Sequence, residues 1–133
     1  MPKNISNPDS FQIEAAAILA AAYETFPMTF AWSHDEDTEE YPTSKGNSRE
    51  EIQFQTIRWL VTNGYLYDEG GFVGGQWQGL GLAERGLAAL NSVPDALSGQ
   101  EPVGKRLVSA VAKGSVELIK QLIPVAIQQA MGG

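Results

Sequence analysis

The residues best suited to chemistry in this sequence are the single histidine and the acidic run that follows it. His34 precedes Asp35, so the two could form half of a proton-transfer pair, and carboxylates alternate through residues 35–39 as in a calcium-binding loop. The calcium pattern fails, because its sixth position is Glu40 instead of glycine and its twelfth is Gly46 instead of glutamate. No nucleophile stands at a readable spacing from the histidine. We therefore expect a solvated acidic loop and a surface histidine.

Two glycine pairs, at residues 70–71 and 74–75, could suggest a phosphate-binding loop. They lack the Gly-x-x-x-x-Gly-Lys-Ser/Thr spacing, and no lysine follows them, so turn glycines are the better interpretation. Glu50 and Glu51 are neighbours on a predicted helix and therefore do not face each other. The sequence thus predicts no catalytic residue, no metal ligand and no cofactor site, and we expect that the protein is not an enzyme.

Composition sets further limits. The chain has 133 residues, 43% of them hydrophobic, and a net charge of -7. This composition excludes wholesale disorder, and the length fits one domain with an appended helix. The absence of cysteine excludes disulfides and thiolate metal sites. The first residues lack the pattern of a signal peptide, and charges at 113, 117 and 120 argue against a membrane-spanning C-terminal segment. We expect an acidic, cytoplasmic protein with no transmembrane segment.

The first half of the chain predicts one clear helix and one unassigned region. Asp9 is placed to cap a helix, with Gln12 reaching back, and that helix should run to about Thr25 before the Phe26-Pro27 step ends it. Residues 27–47 combine a short apolar run, the acidic stretch and a turn-rich segment. They fit either a short helix or a long exposed loop.

The middle of the chain carries stronger signals. Ser48 and Glu51 form a capping-box pattern that predicts a helix over residues 49–63, with Gly64 as its left-handed stop. A strand over 65–67, a glycine-rich turn, a return strand over 76–82 and a short helix over 83–91 should follow.

This order resembles the second half of a winged helix-turn-helix domain, over about residues 48–91. In many such domains the third helix ends in Leu-x-x-x-Gly-aromatic-aliphatic, here residues 60–66, and the wing returns into a Leu-Thr-x-x-Gly-x-x-x-Leu helix start, here residues 82–90 with Ala83 in the threonine position. The resemblance implies an α+β fold: a winged-helix-like three-helix core with a β-hairpin wing. We expect this domain to span residues 9–97, followed by a linker over 98–104.

The last segment, residues 105–131, should be one helix with a kink or break near Pro124. Its polar stripe is narrow, so its apolar surface exceeds the single stripe with which a helix usually docks. We expect it to form a homodimer interface or to dock on another partner; the alternative is a helix buried in its own domain. A helix lying on a membrane surface is disfavoured, because the polar face has few cations. The expected oligomer contacts are Val111, Leu118, Leu122 and Val125.

The resemblance also raises DNA binding, for which Arg49, Gln53 and Arg58 would be the contacts on the recognition helix. Charge disfavours it, because residues 9–100 hold 14 acidic and 4 basic residues and phosphate contacts need lysine or arginine. We therefore expect a non-enzymatic, winged-helix-like regulatory module that acts through protein–protein interaction with an unknown partner. The alternatives are a sequence-specific DNA-binding transcriptional regulator and, more remotely, a small enzyme or ligand-binding domain. The aromatic residues of the wing could anchor a partner or simply pack; they are Tyr65, Tyr67, Phe72 and Trp77.

Overall fold

The computed structural model describes residues 5–34, 42–93 and 101–132. Within these ranges the chain forms an α+β fold of helices and one small antiparallel sheet. In chain order the elements are α1 (Asn7–Thr25), β1 (Phe30–Ser33), α2 (Arg49–Thr62), β2 (Leu66–Asp68), β3 (Phe72–Val73), β4 (Gln76–Leu82), α3 (Glu84–Asn91), α4 (Val103–Lys113) and α5 (Val116–Gly132). None of the helices in the described ranges is long and apolar enough to cross a membrane.

The sheet is organised around β4, the return strand that the sequence predicts over the same residues. β4 lies between β1 and β2, and its first residues also pair with the short β3, all antiparallel. β1 falls in the region that the sequence left unassigned. Residues 42–48 form a turn and not a helix, and the calcium-like run at 35–40 lies outside the described residues.

Helix α1 lies at the centre of the molecule and packs against α2, α4, α5 and β4. Small residues make this possible, since Ala15, Ala16, Ala20 and Ala22 are all buried and let neighbouring helices approach. The helix ends at Thr25 as expected, but its cap is not Asp9. Ser6 is the N-cap, because its hydroxyl oxygen accepts a hydrogen bond of 3.2 Å from the Asp9 backbone N–H.

Helix α2 confirms the sequence signals at both of its ends. Ser48 Oγ accepts from the Glu51 N–H at 3.1 Å, and Glu51 Oε1 accepts from the Ser48 N–H at 2.8 Å, which completes the capping box. Gly64 follows the helix with φ of 82°, a backbone conformation that a side chain would strain. The chain then turns into β2 as predicted.

The C-terminal segment is two helices, so the expectation of one helix is wrong. The break falls at Gly114, whose φ of 65° reverses the backbone and satisfies the last carbonyls of α4. α5 continues through Pro124, where the sequence suggested a break. α4 also begins inside the expected linker, and the Val103 N–H donates to the Ser92 carbonyl at 2.9 Å, which ties α4 to the end of α3.

Both C-terminal helices share a hydrophobic core with α1 and α3. Their buried residues include Leu107 and Ala110 from α4 and Ile119, Leu122 and Ile123 from α5. Since these side chains pack among those of α1, the segment after residue 102 is part of the globule and not a free docking helix. The two helices therefore pack within their own domain, and a homodimer or partner contact through this segment stays a prediction.

Candidate binding groove

The candidate site is an open groove of about 570 Å³ between the first turns of α2, the end of β1 and the β3–β4 hairpin. This volume falls in the range of roughly 300–1,000 Å³ that is typical of ligand pockets. We call it the aromatic groove. Its aromatic lining residues are Trp32, Phe54, Phe72 and Trp77, and its main polar ones are His34, Asn47, Glu50, Glu51, Gln53 and Gln55.

Strand pairing places three of the aromatic rings in one row. Trp77 of β4 is the register partner of Trp32 on β1 and of Phe72 on β3, and directly opposed residues project from the same face of a sheet. The Phe72 and Trp77 ring centroids are 5.3 Å apart. Trp77 is buried whereas Phe72 is 44% exposed, so the row runs from the core to the open surface.

Helix α2 contributes the fourth ring. The Phe54 ring lies 4.9 Å from Phe72 in an edge-to-face contact and 5.2 Å from Trp77 in a tilted one, measured between ring centroids. These are favourable aromatic geometries, which also fix the distance between α2 and the hairpin. The outer side of Phe54 is met by the Arg58 guanidinium, 6.0 Å from the ring centroid.

The rim of the groove on the α2 side is acidic. Glu50 and Glu51 are both exposed and lie in the first helical turn, where carboxylates offset the positive end of the helix dipole. Among the described residues neither lysine nor arginine lines the groove. The site is therefore an aromatic floor beside a negatively charged rim.

A buried ion pair holds α2 against α1 next to this site. Glu14 of α1 is 1% exposed, and its carboxylate accepts from Arg49 Nε at 2.7 Å and from Gln53 Nε2 at 3.3 Å. A buried carboxylate needs such partners, because desolvation without them is costly. Gln53 both satisfies Glu14 and lines the groove, so the polar network and the groove share a residue.

These contacts separate the three candidate DNA-binding residues, Arg49, Gln53 and Arg58. Arg49 and Gln53 are turned toward Glu14 in the interior, whereas Arg58 is exposed beside Phe54. The two arginines therefore do not form a shared cationic surface on α2.

The four residues expected at an oligomer interface differ in exposure; they are Val111, Leu118, Leu122 and Val125. Leu122 is 4% exposed and belongs to the core of its own chain, and Val111 and Val125 are half-buried against that core. Leu118 is 41% exposed. The four residues therefore do not form one exposed stripe, and Leu122 is inaccessible to a second copy in this fold.

The wing aromatics take different roles. Tyr65 is buried and stacks on Trp59, with ring centroids 5.6 Å apart, and Phe11 meets Trp59 edge-to-face. Burial raises the pKa of the Tyr65 hydroxyl above its ordinary value, and the nearby Arg85 charge partly opposes this. Tyr67 is half-buried with its ring against Gly81. Phe72 and Trp77 are the wing aromatics that reach the groove.

Sequence reasoning missed Trp32, Phe54 and the position of His34. His34 is half-buried at the groove and is not simply a surface residue. The missed signal was the alternation of Phe30 and Trp32, which is typical of a strand but spans few residues. No group of three or more His, Cys, Asp or Glu within residues 5–34, 42–93 and 101–132 is arranged to hold a metal ion.

Comparison with family models, with curated proteins and with solved structures gives no match for this chain. The function is therefore argued from the geometry of the groove.

Proposed function

We propose that this chain is a non-enzymatic interaction module that binds a segment of a partner protein in the aromatic groove. The observation that carries the proposal is the cross-strand aromatic row, which begins at buried Trp77 and ends at exposed Phe72 on the wall of an open groove. Large aromatic side chains anchored on one side and open on the other are the usual energetic centres of protein interfaces.

The architecture supports a winged-helix-like assignment for residues 48–91. A capped helix, a left-handed glycine, a hairpin and a return into a short helix follow one another in the order on which the resemblance rests. The groove lies between that helix and that hairpin, so the wing supplies one of its walls. A fold of this kind hosts many functions, and the site decides among them.

The contacts of α2 count against the DNA-binding alternative. Arg49 and Gln53 are engaged by a buried carboxylate, and the outward first turn of α2 presents Glu50 and Glu51. Phosphate binding depends on released counterions and hence on exposed cations. A partner protein fits this surface better than a nucleic acid does.

Peptide selection with matched variants tests the proposal. Random peptides displayed on phage are selected on the immobilised full chain, and the recovered peptides are titrated by calorimetry. We expect Phe72→Ser to weaken binding by about 10-fold or more, as removal of an interface anchor does. Val73→Ser is the control, because Val73 is the adjacent residue of β3, is 59% exposed and does not line the groove.

Circular dichroism first establishes that both variants keep the fold. Failure to recover any binding peptide, or equal affinities of the Phe72→Ser and Val73→Ser variants, would overturn the proposal.

A further inference from the structure

We propose that the segment bound in the aromatic groove is basic, and that it places a lysine or arginine side chain against the aromatic row. This inference rests on the proposed function and adds the chemistry of the occupant. Two independent properties of the groove lead to it.

The first property is charge. Glu50 and Glu51 stand exposed at the rim, and the described lining residues include no lysine or arginine. The whole chain carries a net charge of -7, which attracts cations over distances longer than a contact. An acidic or phosphorylated segment would meet repulsion here, whereas a basic one is steered toward the groove.

The second property is the aromatic surface itself. The faces of aromatic rings are electron-rich and attract ammonium and guanidinium groups that lie within about 6 Å of the ring centroid. The chain already makes one such contact, since the Arg58 guanidinium is 6.0 Å from the centroid of Phe54. Phe72 and Trp32 extend the same cluster into the groove, where a cation from outside could reach them.

An anion at the start of α2 is the competing occupant. A helix N-terminus can bind anions, but here Ser48 Oγ occupies the Glu51 N–H, and two carboxylates lie in the same turn. These groups already balance the positive end of the helix dipole. The same arrangement therefore favours a cation at the rim.

The test uses the peptides recovered on the full chain. We expect them to be enriched in lysine or arginine, and replacement of that residue by norleucine to weaken calorimetric binding by about 10-fold. The double variant Glu50→Gln with Glu51→Gln should lose a similar factor, and glutamine at position 51 can still complete the capping box. Glu69→Gln is the control, since Glu69 is exposed and does not line the groove.

The outcomes separate the two proposals. Peptides that depend on Phe72 but are neutral or acidic, and that bind the Glu50→Gln/Glu51→Gln variant as well as the wild type, would overturn the basic occupant and leave the groove as the binding site. Loss of affinity with increasing salt supports the inference, and salt-independent binding counts against it. If no peptide binds, or if the chain alone, with no peptide present, binds duplex DNA at sub-micromolar concentration in a gel-shift assay, both proposals fail.

Discussion

The aromatic groove and the C-terminal helix pair both carry large apolar side chains, but the helix pair buries most of them and the groove leaves some of them open. In α4 and α5 the large apolar side chains are mostly turned inward, against α1 and α3. In the groove, aromatic surface is left open between α2 and the hairpin, with Phe72 44% exposed.

The comparison shows that an apolar segment of the sequence does not always leave an apolar surface exposed. The C-terminal segment is apolar around most of its circumference, which suggested a contact with a second copy. Its break at Gly114 lets two short helices each find partners within the chain, so most of the apolar area is covered. The groove rings also contact one another, but they do so along the wall of an open cavity, and Phe72 stays 44% exposed. Whether an apolar side chain is exposed therefore depends on where the fold places it and not on how apolar its segment is.

The largest expected effect comes from a charge placed in the helix pair. Leu122→Asp puts a carboxylate at a 4% exposed core position, so we expect the free energy of unfolding to fall by more than about 4 kcal/mol. Leu118→Asp, on the 41% exposed position of the same helix, should change it by less than about 0.5 kcal/mol. Urea denaturation with sedimentation checks both, and a wild-type dimer that Leu118→Asp dissociates would restore the interface interpretation of α5.

A smaller effect is expected at the border between the core and the groove. Arg49→Leu leaves the Glu14 carboxylate buried with Gln53 as its remaining described partner, and should cost about 3 kcal/mol. Replacing both Glu14 and Arg49 by leucine should recover most of that loss, because no buried charge is left. Urea denaturation of the single and double variants measures the difference. Equal destabilisation of the two would show that the ion pair is not what holds α1 to α2.

The smallest effect concerns the buried tyrosine that is not part of the groove. Because burial raises the folded-state pKa of Tyr65 above its ordinary value near 10, the unfolded chain loses this proton first as the pH rises. Stability from this group is therefore complete below about pH 10 and is lost as the pH rises through the folded pKa. Urea midpoints measured from neutral to alkaline pH should fall less steeply for Tyr65→Phe than for the wild type; identical slopes would contradict the assignment.

Much of the fold between residues 48 and 91 could be predicted from the sequence, because its signals are local. A capping box, a left-handed glycine and a glycine-rich turn each act within a few residues, and the structure places α2, Gly64 and β4 where they indicate. The C-terminal break could not be predicted in the same way. Gly114 and Pro124 are both helix breakers in sequence, and the structure ends a helix at Gly114, which is left-handed, whereas α5 continues through Pro124.

The groove was less predictable, because it depends on register between distant segments. Phe72 and Trp77 were recognised as wing aromatics, but nothing local indicates that Trp32 becomes the strand neighbour of Trp77. In the same way, Glu14 lies 35 residues before Arg49, so nothing local indicates that the two side chains pair. The burial of Glu14 follows from the central position of α1. Contacts between such distant residues are set by the topology of the fold, and no local spacing in the sequence indicates them.

The distribution of the three tryptophans has a practical consequence. Trp32 and Trp77 line the groove, whereas Trp59 stands apart from it with Phe11 and Tyr65. A Trp59→Phe chain would therefore emit tryptophan fluorescence from the groove alone. Occupancy could then be followed optically, without a label, as each candidate molecule is added.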